Sequence, residues 1–362
     1  MKNPKISDII DEIVKEMELK RDDVIEAFKE GMIAGCKKEY GVLTCRCEYD
    51  EVVDQFSVFT QKLVVDEIVI GEKEMTHILI EDAKKIQSKI KVGEILEVEV
   101  SPENYGYHAS SQVKQSFNQI LNKKVKERVF EYFKSFKDKL IPAQVVGIDE
   151  KTEKFEKRYR LNIGHDTITT LHDRDTLPND NLQIGDRINV YVLDIIQHEN
   201  RSFRVVVTRT DQNLINRLME NYIPEIKEGI VEIVAISRTV GDRSKVMVKS
   251  NDPNVDPIGA CIGTDGMRIR GVMKALNGEK IDLFKYSDNP QELIANSLQP
   301  ARVIAVTEVN ELEKTALAIV QDDHLSLAIG KKGQNVQLAV QATGWKIDIK
   351  SEEMAAEKGI LY

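Results

Sequence analysis

Ile262-Gly263-Thr264-Asp265-Gly266-Met267-Arg268-Ile269 and Ile329-Gly330-Lys331-Lys332-Gly333-Gln334-Asn335-Val336 carry one pattern, I-G-x-x-G-x-x-[I/V], with first glycines 67 residues apart. The echo continues downstream, where Gly278-Glu279-Lys280-Ile281-Asp282-Leu283 is answered by Gly344-Trp345-Lys346-Ile347-Asp348-Ile349. One G-x-x-G is a weak signal, since any αα-hairpin whose turn needs glycine can supply it. A registered duplicate is a strong one. Both copies lie between a short apolar helix and a longer amphipathic one, and a strand follows each. Self-similarity at a fixed period marks one repeated supersecondary unit.

The spacing suits a nucleic-acid clamp. In a KH module the G-x-x-G loop joins two helices, and its bare glycines let a sugar-phosphate backbone approach closely. The helix that starts after the loop turns its free N–H groups and positive dipole end toward the phosphates. Ile262 with Ile269, and Ile329 with Val336, would then form an apolar wall for splayed bases. Around the first loop the patterning predicts a helix (Asn213 to Asn221), strands at 229–234 and 245–249, a helix through Val272, Ala275 and Leu276, and a strand from Lys280 to Tyr286. The second copy predicts a helix at 291–298, strands at 302–309 and 316–320, a helix at 336–342 and a strand at 345–350. That is α-β-β-α-α-β twice, the bacterial (type II) KH order. With no long linker between the copies, one rigid double platform is expected.

Upstream, Ser7 to Cys36 reads as two amphipathic helices, with stripes at Ile9, Ile10, Ile13, Val14, Met17 and at Val24, Ile25, Phe28, Met32. Strand-like runs follow at 43–49, 55–60 and 95–100. A long helix from about Ala109 to Phe136 would bury Val113, Phe117, Ile120, Leu121, Val129 and Phe133. Its Lys114, Lys123, Lys124, Lys126 and Arg128 are either phosphate contacts or a solvated face. Residues 137–210 show short strands at even spacing (141–148, 159–163, 188–195, 203–208), the pattern of a five-stranded OB fold of the S1 type. OB folds stack bases on exposed aromatics. Phe155, Tyr159, His165 and Phe203 are the candidates here, each equally readable as core or turn.

The net charge of −9 is unevenly spread: −9 over residues 1–112, +4 over 113–136, zero over 137–210 and 211–286, and −4 over 287–362. The acidic front is a poor nucleic-acid surface and a plausible protein-binding one. Neutral platforms imply modest RNA affinity and shallow salt dependence. Cys36, Cys45, Cys47 and Cys261 are too scattered for a disulfide framework, and Cys45-x-Cys47 is not zinc spacing, so reduced thiols and no metal are expected. No apolar run reaches membrane-spanning length, and Met1-Lys2-Asn3-Pro4 does not open a secretory signal. There is no G-x-x-x-x-G-K-[ST], no H-E-x-x-H and no nucleophile elbow, so a KH-bearing GTPase or other enzyme is not expected, nor any cofactor. Polynucleotide phosphorylase also combines KH and S1 modules, but in the opposite order and after catalytic domains. A ribosomal or RNA-chaperone KH protein is a second alternative, against which the acidic front argues.

The chain resembles the NusA family of bacterial transcription elongation factors over nearly its whole length. The most specific stretches are Gly241-Asp242-Arg243-Ser244-Lys245-Val246, Asp256-Pro257-Ile258-Gly259-Ala260-Cys261-Ile262-Gly263 and Leu325-Ser326-Leu327-Ala328 running into the second loop. Thr208-Arg209-Thr210 and Val64-Val65-Asp66-Glu67 are similar too. The resemblance implies a multidomain α+β chain: an α/β N-terminal RNA polymerase-binding module (1–136), an S1-type OB β-barrel (137–210) and two tandem type II KH domains (211–286 and 287–362). It implies a cytoplasmic monomer that binds RNA polymerase core and nascent single-stranded RNA, works with other antitermination factors and the ribosome, and alters pausing, termination and antitermination without catalysis. The RNA-binding set is then Ile262, Gly263, Thr264, Asp265, Gly266, Arg268, Ile269 and Arg270 in the first KH domain. In the second it is Ile329, Gly330, Lys331, Lys332, Gly333, Gln334 and Val336, with the four barrel aromatics. Two features depart from the family. Asp265 puts a carboxylate in the first loop, so Lys331 and Lys332 should supply the stronger backbone contact. The sequence stops at Tyr362, so autoinhibition by an acidic tail is not expected of it.

Overall fold

The apolar stripes at the front become two helices, α1 (Ile6–Met17) and α2 (Arg21–Tyr40), which bury Ile10, Val24, Ile25 and Ala27 in one core. The computed structural model describes residues 5–67, 76–150, 152, 156–197 and 203–361, and the chain divides into two compact units, Met1–Tyr132 and Phe133–Tyr362. In the first unit α2 outruns the expected end at Cys36 and stops at Gly41, whose φ of 58° is left-handed. Helices commonly end this way, because glycine enters that region without steric penalty.

Strands β1 (Thr44–Asp50) and β2 (Gln55–Val65) form an antiparallel pair. β3 (His77–Leu79) joins β2 in parallel, α3 (Ile80–Ile86) follows, and β4 (Ile95–Val100) pairs with β2 antiparallel. β2 runs on past the expected Thr60 because β3 and β4 supply partners along its far half. Helix α4 (Tyr107–Lys134) presents Phe117, Ile120 and Leu121 to the α1–α2 core. Its cations answer the phosphate-or-solvent question in part. Lys124 lies 3.1 Å from Asp23 and 2.6 Å from Glu26, Arg128 pairs with Glu18, and Lys123 lies 3.9 Å from Glu127. Lys124 and Arg128 thus tie α4 to the front helices, while Lys123 pairs within its own helix. The four cysteines are free thiols, with the Cys45 thiol 3.1 Å from the Cys36 sulfur.

The second unit begins with the barrel: β5 (Leu140–Asp149), β6 (Arg158–Asn162), β7 (Ile168–His172), β8 (Arg187–Ile196) and β9 (Arg204–Thr208), in the order β7-β6-β5-β8-β9 with every pair antiparallel. The Thr169 hydroxyl donates to the Val205 carbonyl and draws the two edge strands together, so the sheet nearly closes as an OB-like barrel. Strand β7 is absent from the sequence expectation because its inward residues are Thr169 and Leu171, only one of them apolar.

The first KH unit contains α5 (Asn213–Tyr222), α6 (Pro224–Lys227), β10 (Val231–Thr239), β11 (Arg243–Ser250), α7 (Pro257–Ile262), α8 (Met267–Ala275) and β12 (Lys280–Lys285). The second contains α9 (Pro290–Ser297), β13 (Val303–Asn310), β14 (Thr315–Val320), α10 (Leu325–Ile329), α11 (Gln334–Thr343), β15 (Lys346–Ser351) and α12 (Glu352–Glu357). In both, the first two strands pair antiparallel and the third lies parallel to the second. A parallel pair needs a long crossover. Here the crossover is the helix–loop–helix that carries the two glycines.

Barrel and KH units are locked together by buried polar bonds. Arg209 reaches Asp180 at 2.7 Å, with side chains only 3% and 1% exposed, and also donates to the carbonyls of Asn189 and Ala275. Between the KH units, the Ser237 hydroxyl donates to the Leu338 carbonyl at 2.7 Å and the Lys245 ammonium to the Gln299 carbonyl at 2.8 Å. Met247 and Phe284 of the first pack with Leu293 and Ala342 of the second.

Candidate nucleic-acid interface

Each loop is set by the helix before it. Pro257 opens α7, and the Asp256 carboxylate caps it by accepting from the Gly259 N–H at 2.8 Å. The helix stops at Gly263 (φ 70°, ψ 177°); Asp265 (51°, 23°) and Gly266 (71°, 18°) then turn the chain into α8. The second copy repeats this through Gly330 (77°, 169°), Lys332 (55°, 27°) and Gly333 (77°, 10°). The first glycine of each loop occupies a region essentially closed to other residues. A β-carbon on Gly330 would also lie 2.7 Å from the Asn335 backbone nitrogen. The second glycines are less crowded: a β-carbon on Gly333 would meet nothing nearer than the Gln337 amide at 3.7 Å, whereas one on Gly266 would come within 3.2 Å of the Arg270 guanidinium, the end of a flexible side chain. The first glycine thus shapes the loop, and the second leaves little side-chain bulk over it, with only flexible side-chain ends nearby.

The structure divides the sequence-derived set. Ile262 (39% exposed) and Ile329 (38%) stand at the surface beside their loops, whereas Ile269 is buried in the first KH core and Val336 packs into the second. Of the residues expected to form an apolar wall, only the first isoleucine of each motif is at the surface, because the residue seven positions on has turned to the inner face of its helix. Thr264, Asp265, Arg270, Lys331 and Lys332 are exposed. Arg268 is half-buried and donates to the Glu225 carboxylate and the Ala260 carbonyl, both at 2.7 Å, so it ties α8 to α6 and α7. Gln334 donates to the Asp242 carboxylate of the first KH unit at 2.7 Å.

The charge asymmetry of the loops is partly offset. Arg270 sits one turn into α8 with its guanidinium over Gly266, while the matching position in α11 is the neutral Gln337. The first copy carries its cation on the helix and the second on the loop. In the barrel, Tyr159 is 3% exposed and belongs to the core, which leaves its ring no open face. Phe155 lies outside the described residues. His165 and Phe203 gather around the buried Phe133 at ring-centroid distances of 6.4 and 6.0 Å, forming one aromatic group at an end of the barrel. Nothing in the local sequence singles out Tyr222 or Asp180, whose surroundings come from segments distant along the chain. Among the described residues no group of three or more His, Cys, Asp or Glu is placed to hold a metal ion, and no helix is long and apolar enough to cross a membrane.

An OB-like barrel running into two type II KH units, each presenting a two-glycine loop at the surface, defines a modular nucleic-acid-binding protein of the KH class. Family models agree over three segments: the NusA N-terminal domain matches residues 5–127, the NusA-like first KH domain 209–286 and the NusA-like second KH domain 290–357. The transcription termination/antitermination protein NusA of Bacillus subtilis is 35% identical over 357 residues, covering 98% of this chain and 93% of that one. NusA of Halalkalibacterium halodurans is 34% identical over 361 residues (99% and 91%), and that of Thermus thermophilus 32% over 345 residues (92% and 86%). The chain belongs to the NusA family. Members of this family are transcription factors with RNA-binding KH domains, not enzymes.

Proposed function

We propose that this chain is a transcription elongation factor that docks on RNA polymerase core through residues 1–136 and receives nascent single-stranded RNA on residues 137–210, 211–286 and 287–362. Its output is a change in pausing, intrinsic termination and antitermination, exerted as a cytoplasmic monomer alongside other antitermination factors and the ribosome. The observation that carries the RNA half is the doubled loop: two matched backbones, each with two glycines at positive φ, an exposed isoleucine and an exposed cation. The docking half is supported by the acid-rich front, and the output by the relatives' names as transcription termination/antitermination proteins. No bond is made or broken. Binding energy holds RNA and polymerase in one arrangement and so biases hairpin folding at the transcript exit.

The test is a crosslinking map on a paused elongation complex. Crosslinks from residues 1–136 to polymerase and from the two loops to the transcript are expected. A map with no polymerase crosslink from residues 1–136 would refute the docking assignment.

A further inference from the structure

A cavity of about 620 Å³ lies between the barrel and the first KH unit, away from both glycine loops. Its floor is the buried Asp180–Arg209 pair, and its carboxylates are already engaged. Asp180 accepts from Arg209, from the Asn277 amide at 3.0 Å and from the Leu177 N–H at 3.0 Å, while Asp186 accepts from the Gln183 N–H at 2.8 Å. The two cations on the rim are not. Arg187 from the barrel and Lys274 from α8 line the cavity, and among the described residues neither side chain makes an ion pair or hydrogen bond.

Tyr222, 41% exposed, lines the same cavity. Its ring lies against α8 at Gly271, where a β-carbon would come within 2.6 Å of a ring carbon. Glycine at that position lets the ring lie on the helix backbone while the side chain stays part of the cavity lining. Helix α8 also begins at the first glycine loop. At 1.5 Å per residue, Lys274 is about 12 Å along the axis from Gly266. The cavity is therefore within a few nucleotides' reach of a strand held at that loop.

We propose that this cavity takes one unpaired nucleotide of the single-stranded RNA, its base stacked on Tyr222 and its phosphate between Arg187 and Lys274. The proposal rests on the RNA-binding reading above and adds a contact at the junction of barrel and KH unit. Polar side chains on the walls, Asn181 among them, give the base edge hydrogen-bonding partners, and the open rim lets the strand enter and leave.

The experiment uses the full chain and a single-stranded RNA carrying 4-thiouridine, irradiated and mapped by mass spectrometry. A crosslink at Tyr222 is expected, and it should persist in excess AMP; loss to AMP would assign the cavity to a free nucleotide and overturn the proposal. Removing one base–aromatic stack should lower RNA affinity by about fivefold or more. Tyr222→Ala should show that loss in anisotropy titrations while Tyr222→Phe retains binding, with thermal midpoints confirming that both fold. Lys331→Ala/Lys332→Ala is the control. If it weakens RNA binding while Tyr222→Ala binds normally and no crosslink forms at Tyr222, the cavity proposal fails and the RNA-binding reading stands. If the unaltered chain binds no RNA, both fail.

Discussion

Lys331 and Lys332 are exposed, make no ion pair among the described residues and sit inside a loop whose second glycine is open. If each neutralises one phosphate, Lys331→Ala/Lys332→Ala removes two counterion-releasing contacts. For single strands the slope of log K against log salt is about −0.7 per phosphate, so the variant's slope should be shallower by about 1.4. Between 50 and 200 mM salt, a fourfold change, the unaltered chain should then lose about sevenfold more affinity than the variant does. The assay is fluorescence anisotropy with a labelled single-stranded RNA, titrated at four salt concentrations. Because neither side chain is buried, the unfolding transition should not move, which separates a binding effect from a folding one. Thr264→Lys, in the loop that holds Asp265, should steepen the slope by about 0.7. Parallel slopes for the unaltered chain and the double lysine variant would refute the reasoning, even if absolute affinity fell.

The glycines of one loop should differ in cost. Gly330→Ala combines a forbidden backbone region with a collision against the Asn335 backbone and should destabilise by about 2–4 kcal/mol, against about 1 kcal/mol for Gly333→Ala; urea unfolding that ranks them equal would contradict this. Asp180→Ala leaves the Arg209 guanidinium buried without its carboxylate and should cost about 3–5 kcal/mol, read as loss of the barrel–KH transition on heating; a change under 1 kcal/mol would mean the pair is solvated. Lys245 is 1% exposed, and burial pushes its ammonium down to about 8 from an ordinary 10.5, with Asp282 at 3.9 Å opposing that shift and Arg243 adding to it. Between pH 8 and 10.5 the unfolded chain therefore holds the proton more tightly, and stability relative to Lys245→Met should rise with pH by up to about 3 kcal/mol, the gain being lost as pH falls back through 8. A stability difference between the two that is flat over pH 7.5–10 would refute that assignment.

Local signals carried much of the architecture. The registered glycine motif, with apolar periodicity on either side, announced two like units, because a helix–turn–helix crossover leaves its pattern in consecutive residues. The same locality explains the gaps. Strand β7 escapes because Thr169 faces inward to bond Val205, and α12 escapes because its only full burial is Ala355. Sequence alone also established which residues the two loops contain, and so the unequal charge of the loops themselves. Only the tertiary structure decided which of those residues are available. It turned Ile269 and Tyr159 into core, committed Arg268 to Glu225, brought Arg270 over Gly266 and raised Tyr222 on Gly271 above a cavity. The physical reason is that availability depends on what packs against a side chain. For these residues, much of that packing comes from parts of the chain far away in sequence.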